Sequence, residues 1–262
     1  SEHDTYTGTA RNAGSRNKLE WNTVLFYIYE NYQRMYEYMS EGEYQLYEAD
    51  SKRKDMGGQL GFSGSWFRNH NLTFGTDYKM GSVNGTDTYY TSTDIISNAG
   101  KMQTGSLFVQ DEIFLLNRKL QINLGLRYDF SKYSDGLFTI DDPSYSIEFI
   151  SQFEDMAMPE KYWDAFCPRF SVQYKFSETN RTYLSVAKGF RAPVLDDMTR
   201  TGKKKGSFKV ANPDLNPELI TSFEGGADVD IVRNLSIGAS AYYSLGKDFM
   251  YYASTGDSVN MG

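Results

Sequence analysis

Residues able to act as nucleophiles, bases or metal ligands are few in this sequence. One cysteine, Cys167, excludes an internal disulfide. It stands between Phe166 and Pro168, and although Arg169 would favour a thiolate, no second thiol or base accompanies it. The 2 histidines, His3 and His70, are too few for a metal centre or a catalytic triad. No enzyme activity, cofactor or resident metal is expected. Two acidic pairs, Asp141–Asp142 and Asp196–Asp197, offer the hard oxygen ligands that suit calcium, but neither shows a calcium-loop spacing, and a solvated turn would use the same residues. Lys203, Lys204 and Lys205 form a short basic run that suits an anionic ligand or plain solvation. Tyr89, Tyr90, Tyr133, Tyr145, Phe149, Phe153, Tyr162 and Trp163 could stack on a flat ligand or pack among themselves.

The elements that must position these residues are strands. In Leu120, Ile122, Leu124, Leu126 and Tyr128, apolar side chains alternate with Gln121, Asn123, Gly125, Arg127 and Asp129, giving one apolar and one polar face. Similar runs place nine strands at 18–33, 54–66, 71–81, 103–115, 119–131, 167–176, 181–190, 219–232 and 234–247. The longest apolar run, Val24 to Tyr29, is far too short for a membrane-crossing helix. With 27 Lys and Arg against 34 Asp and Glu, the net charge of −7 removes the basic footprint that nucleic acid requires. The aromatic content is carried by 21 Tyr, whose apolar ring and polar tip suit a boundary between water and an apolar medium.

Connections alternate in length. Arg68–His70, Leu116–Arg118, Ser177–Asn180 and Arg233 read as tight turns, and Ala10–Asn17 as another; 34–53, 82–102, 132–166 and 191–218 read as long loops. Tight turns at one end and long loops at the other fit an outer-membrane barrel, whose strands turn apolar side chains to lipid and polar ones to a wet lumen. Backbone amides in hydrocarbon find no partner, so each strand is paired on both edges. A sandwich core could hide the same alternation. Two segments fit poorly: Asp111 shares a face with Leu107, Val109 and Ile113, placing it at the turn-end rim or beside a bulge, and Val24–Tyr29 is apolar on both faces.

The run Lys188-Gly189-Phe190-Arg191-Ala192-Pro193, followed by Asn212-Pro213-Asp214-Leu215-Asn216-Pro217-Glu218 and then Glu224-Gly225, resembles the TonB-dependent receptors of bacterial outer membranes. Phe108-Val109-Gln110-Asp111-Glu112 and Leu124-Gly125-Leu126-Arg127-Tyr128-Asp129 are similar to the same family. The resemblance implies an all-β, antiparallel up-and-down transmembrane barrel of 22 strands, plugged by an N-terminal domain and importing ferric siderophore, haem or cobalamin with energy from the TonB complex. The implied surroundings are outer-membrane lipid and lipopolysaccharide, which Lys203–Lys205 could meet, with a surface lipoprotein as a further partner. Against that pattern the sequence shows no plug domain, no energy-coupling box and no aromatic-ended last strand. Residues 1–262 are therefore expected to be a barrel segment of about nine to ten strands from a larger receptor.

Within the motifs, strand parity turns Tyr183, Ser185, Ala187, Gly189 and Arg191 inward and Phe190 toward lipid. It also places Glu218, Ser222, Glu224, Asp228 and Asp230 inside. Arg191 is expected to pair with Glu218 or Glu224 in the barrel wall, with substrate contact as the other reading. Pro193 and Pro213 suit strand ends, where a missing amide hydrogen is harmless. Some haem receptors carry a histidine between the two boxes, and 194–211 has none, which lowers haem relative to siderophore and cobalamin. The alternative function is a passive porin or adhesin barrel.

Overall fold

The computed structural model describes residues 1–40, 42–144, 158–204, 207–232 and 234–252. Its main sheet contains ten antiparallel strands: β1 (Glu2–Arg16), β2 (Leu19–Ser40), β3 (Glu43–Gly64), β4 (His70–Tyr89), β5 (Ile95–Leu115), β6 (Leu120–Asp141), β7 (Lys161–Lys175), β8 (Arg181–Arg191), β11 (Glu218–Val232) and β12 (Leu235–Lys247). Each pairs with its neighbours in that order, the up-and-down topology expected of a barrel wall. A five-residue helix, α1 (Leu195–Thr199), and a small ribbon, β9 (Gly202–Lys204) with β10 (Ser207–Lys209), lie between β8 and β11. Among the described residues no helix is long and apolar enough to cross a membrane.

The strands are longer than the apolar periodicity predicts. Ala10–Arg16 is strand rather than turn, paired with β2, and the chain reverses at Asn17 and Lys18, with Asn17 at φ 57°. Residues 34–53 are not a loop: β2 and β3 stay in register up to Ser40 opposite Glu43, and the reversal uses Gly42 at φ 85°, a conformation glycine adopts without a Cβ penalty. Likewise β4 and β5 run through most of 82–102, and β6 continues to Asp141. The apolar pattern fades in these extensions because its phase inverts. On β3, Met56 and Leu60 share a face with Glu48, Asp50, Lys52 and Lys54, while Tyr47 and Ala49 point to the other side.

In the turn-end half the apolar face is open. Leu107 is 60% exposed, Leu124 46% and Leu184 63%. A sandwich would seal these side chains inside; here they form a surface suited to hydrocarbon. The opposite face carries a hydrogen-bonded charge network. Arg127 reaches Asp77 at 2.9 Å and Asp129 at 2.7 Å, Ser106 donates to Asp77 at 2.6 Å, and Asp55 is held by Arg53 at 2.8 Å and Lys79 at 3.2 Å. Val24–Tyr29 divides by parity: Leu25 and Tyr27 are exposed on the apolar face, while the Phe26 ring covers Gly57 on the inner one. Asp111 has outward parity at the turn-end rim, where its carboxylate meets His70 Nδ1 at 2.7 Å, and no bulge displaces it. The described β7–β8 ladder ends at Arg169 opposite Ala187, next to Pro168, which has no amide hydrogen to extend it.

The loop-end half has its core on the inner face. Tyr47, Ala49, Tyr89, Ile96, Phe138 and Ile140 form one buried cluster. Met102, Tyr133, Leu195 and Met198 form a second, against which Val83, Trp163 and Leu215 pack.

Candidate functional site

The chain between β8 and β11 is a strap laid along the inner wall. Leu195 and Met198 of α1 pack on Met102 and Tyr133, and Met198 and Tyr133 are fully buried. The strap lies flush because β5 carries a register irregularity at Ala99/Lys101 with Gly100 in it; a Cβ on Gly100 would collide with Thr199. Polar groups complete the attachment. Thr201 donates its amide to Asn98 Oδ1 at 2.9 Å, and Thr201 Oγ1 accepts from the Ala211 amide at 2.9 Å.

The two sequence boxes form the feet of this strap. Arg191 Nη1 is 3.0 Å from Glu218 Oε2, directly across the β8–β11 ladder. Phe190 lies opposite Leu219 on the outward face, and Ala192 and Pro193 follow as the chain leaves β8. On the return, the Asn212 amide donates to the Asp197 carbonyl at 2.9 Å, and the Asn212 side chain accepts from the Asp214 amide at 2.9 Å. Pro213 is buried, Asp214 pairs with Lys161 at 2.6 Å, Leu215 packs on the second cluster, and Pro217 leads into Glu218. Glu224 instead accepts the Tyr183 hydroxyl at 2.9 Å. The structure therefore brings the motif residues together at the strap's ends.

Asp196 and Asp197 are occupied by a lysine. Lys209 Nζ, 6% exposed, bonds to Asp196 at 2.8 Å and Asp197 at 3.0 Å, and Tyr252 donates to Asp197 at 2.6 Å. Burial alone would push the Asp197 carboxyl up, but these bonds hold it below the usual carboxylate range. Asp141 ends β6 and Asp142 follows at φ 46°. Among the described residues no three His, Cys, Asp or Glu side chains gather as a metal site. His3 lies on β1, and Cys167 is buried in β7. Lys203 and Lys204 belong to β9 in the strap. Tyr145, Phe149, Phe153 and Lys205 lie outside the described residues. Of the remaining loop aromatics, Tyr89 and Tyr133 are buried strand residues, while Tyr162 is 66% exposed.

An aromatic and basic surface that the sequence reading missed lies beside the strap on the same inner face. Tyr36, Tyr47 and Tyr89 stack across β2, β3 and β4, with ring centroids 4.8 Å apart at each step. At the open edge of this stack, the Tyr32 and Tyr36 hydroxyls are 2.8 Å apart, and the Arg34 guanidinium lies 4.8 Å from the Tyr36 ring centroid. Burial raises the Tyr32 phenol, but the Tyr36 hydrogen bond and Arg34 outweigh it, so Tyr32 ionises more readily than a free phenol. Tyr36 shifts upward, through burial and the same hydrogen bond. Arg34 and Arg200 are exposed, and Asp87 beside Arg200 is buried, its carboxyl pushed up to about 6 by desolvation against the pull of Arg200. Such a surface can hold an anionic, ring-bearing ligand by stacking and charge-assisted hydrogen bonds. The spacing of Tyr32, Tyr36 and Tyr38 in period two was its trace in the sequence.

An up-and-down sheet with an apolar exterior, a hydrated charged interior and tight turns at one end is the wall of a transmembrane β-barrel. The family described as TonB dependent receptor-like, beta-barrel, matches residues 1–262, and the chain belongs to it. Solved structures agree at the level of fold. The chain is similar to the copper transporter OprC (14% identity, 94% of this chain and 40% of that one, TM-score 0.71). It is also similar to the ferric yersiniabactin uptake receptor FyuA from Yersinia pestis (14% identity, 94% and 36%, TM-score 0.65). A third is the Serratia marcescens hemophore receptor HasR, solved as a double mutant with its hemophore and heme (16% identity, 93% and 40%, TM-score 0.61). The chain thus spans 36–40% of the length of these three proteins. No curated protein matches it. TonB-dependent receptors are transporters rather than enzymes, and these relatives carry different cargoes on one fold.

Proposed function

We propose that this chain is part of the barrel wall of an outer-membrane receptor that binds a scarce, bulky, anionic nutrient at its extracellular mouth and imports it by TonB-dependent transport. Ferric siderophore is the favoured cargo class, ahead of cobalamin and haem. The observation that carries this reading is the inward-facing Tyr32–Arg34–Tyr36 edge with Arg200, backed by the buried tyrosine stack and the strap. Its rigidity limits the ordering cost of binding. In this reading the ten strands belong to a barrel of about 22, the parent supplies a plug, and the TonB complex acts through that plug. Arg191 with Glu218, and Glu224 with Tyr183, brace the wall instead of touching cargo.

The test uses the full-length receptor in outer-membrane-competent cells and radiolabelled ferric siderophore, cobalamin and haem. Uptake of a ferric siderophore that stops when the proton motive force is collapsed is the expected result. Replacing Arg34 and Arg200 together by alanine should weaken its binding by about tenfold or more, the scale of a lost charge-assisted hydrogen bond. Entry of small solutes that ignores the proton motive force would favour a passive porin instead.

A further inference from the structure

Along β2, Tyr32, Arg34 and Tyr36 occupy alternate positions on the inner face. Side chains four residues apart on a strand start about 13 Å from one another, yet the Tyr32 and Tyr36 hydroxyl oxygens are 2.8 Å apart. The two phenols therefore lean together along the strand and converge over the Arg34 position. Neighbouring rings hold them there. Tyr36 stacks on Tyr47 at 4.8 Å and 11°, and the Tyr32 ring meets the His3 ring edge-on, with centroids 5.7 Å apart. The Arg34 guanidinium lies 4.8 Å from the Tyr36 ring centroid, and Arg200 lines the same small recess as Tyr32.

An oxygen pair at this spacing fits a metal ion. Ligands in adjacent positions of an octahedron with metal–oxygen bonds of about 2.0–2.1 Å stand about 2.9 Å apart. Phenolate is a hard anionic donor, and tyrosine serves as an iron ligand in some haem proteins. Arg34 and Arg200 repel a bare cation, so an ion that reaches this pair arrives inside an anionic chelator. Resting on the transport reading above, we propose that Tyr32 and Tyr36 ligate the ferric ion of the cargo directly, at two adjacent positions that the cargo's own chelator leaves to water. Each hydroxyl releases its proton to solvent, its phenolate oxygen bonds the iron, and one water leaves; the iron stays ferric throughout. The two guanidinium groups favour the phenolate charge on both rings and meet the acidic oxygens of the chelator. The cargo class narrows accordingly to anionic ferric complexes whose chelator does not fill the coordination sphere.

The experiment uses the purified full-length receptor and two anionic ferric probes: nitrilotriacetate, a tetradentate chelator that leaves two adjacent positions open, and a hexadentate tris-catecholate, which leaves none. Wild-type receptor titrated with ferric nitrilotriacetate should develop a visible phenolate-to-iron charge-transfer band, with tyrosinate vibrations in the resonance Raman spectrum, saturating at one iron per receptor. Tyr32→Phe/Tyr36→Phe keeps both rings and their stacking. It should lose the band and bind ferric nitrilotriacetate more weakly by about tenfold or more, the scale of a lost supporting group at a metal, while heat-modifiable migration stays as in wild type. If the double variant fails to fold, each single variant replaces it with the same expected direction. No band in wild type, or a band that survives in the double variant, overturns the proposal. In either case, tris-catecholate binding that is equal in wild type and the double variant, and lost in Arg34→Ala/Arg200→Ala, leaves the transport reading intact. Binding of neither chelate overturns the ferric cargo class together with the ligation.

Discussion

The turn-end and loop-end halves of the same strands solve opposite problems. In the turn-end half the exterior is apolar and the interior charged: Leu107, Leu124 and Leu184 are open, while Arg127 sits between Asp77 and Asp129 on the inner face. In the loop-end half the arrangement is reversed. Lys52, Lys54 and Asp50 face out, and Tyr47, Tyr89, Met102 and Tyr133 are buried on the inner side. The β3–β4 and β4–β5 ladders run unbroken through both, so the backbone does not make the difference; the surroundings of each face do. Hydrocarbon satisfies apolar side chains without any protein partner. Where the wall rises into water those side chains must find each other, and the strap supplies the missing packing surface.

Breaking each half separately tests this contrast. The largest effect is expected from Tyr133→Ala, which empties a fully buried site between β5, β6 and α1. It should cost about 3–5 kcal/mol, and hydrogen exchange should show the loss in the strap and the upper parts of β5 and β6, with the turn-end half still protected. Leu124→Arg attacks the other half. It should cost about 2–4 kcal/mol near the bilayer midplane, read by denaturant titration in vesicles, and should leave detergent-solubilised stability nearly unchanged because detergent yields to a charge more readily than a bilayer. Equal losses in both media would mean that the apolar exterior is a protein contact.

A smaller, pH-dependent effect should be confined to the loop-end half. Burial raises the Asp87 carboxyl from its ordinary 3.8 to about 6, with Arg200 opposing. The folded state therefore holds this proton more tightly than the unfolded state does. The resulting stabilisation is complete below about pH 4 and is lost as pH rises through about 6. Exchange protection of β4 and the strap should accordingly increase on acidification from pH 7 to pH 5, and Asp87→Asn should abolish the dependence. A wild-type response in the asparagine variant would assign the titration to another group.

The turn-end half was legible in the sequence. Leu120 through Asp129 alternate without interruption, and both the lipid face and the charged face follow from that parity. The loop-end extensions resemble loops in the sequence because the signal of a half-buried strand is an alternating apolar run, and they lack one. There the alternation continues with polar side chains outward, as in Glu48, Asp50 and Lys52, and sparse tyrosines inward. The motif boxes at Phe190–Pro193 and Asn212–Glu218 identified the family, but their geometry as the two feet of an inward strap depends on contacts with Asn98, Met102 and Tyr133, residues far from the strap along the chain. The Tyr32–Arg34–Tyr36 edge was missed for a related reason: its residues belong to one strand, but Arg200 reaches them only because the strap folds inward.

The sequence by itself determined that this chain builds an antiparallel wall with one face for hydrocarbon and one for water, because a strand's side-chain period is fixed at two and each medium selects its own side of the pleat. Tertiary structure alone decided how far the strands rise and where the strap lies. It also decided which charges stand together on each face, because those depend on register and on packing between residues distant in the chain, which local alternation does not encode.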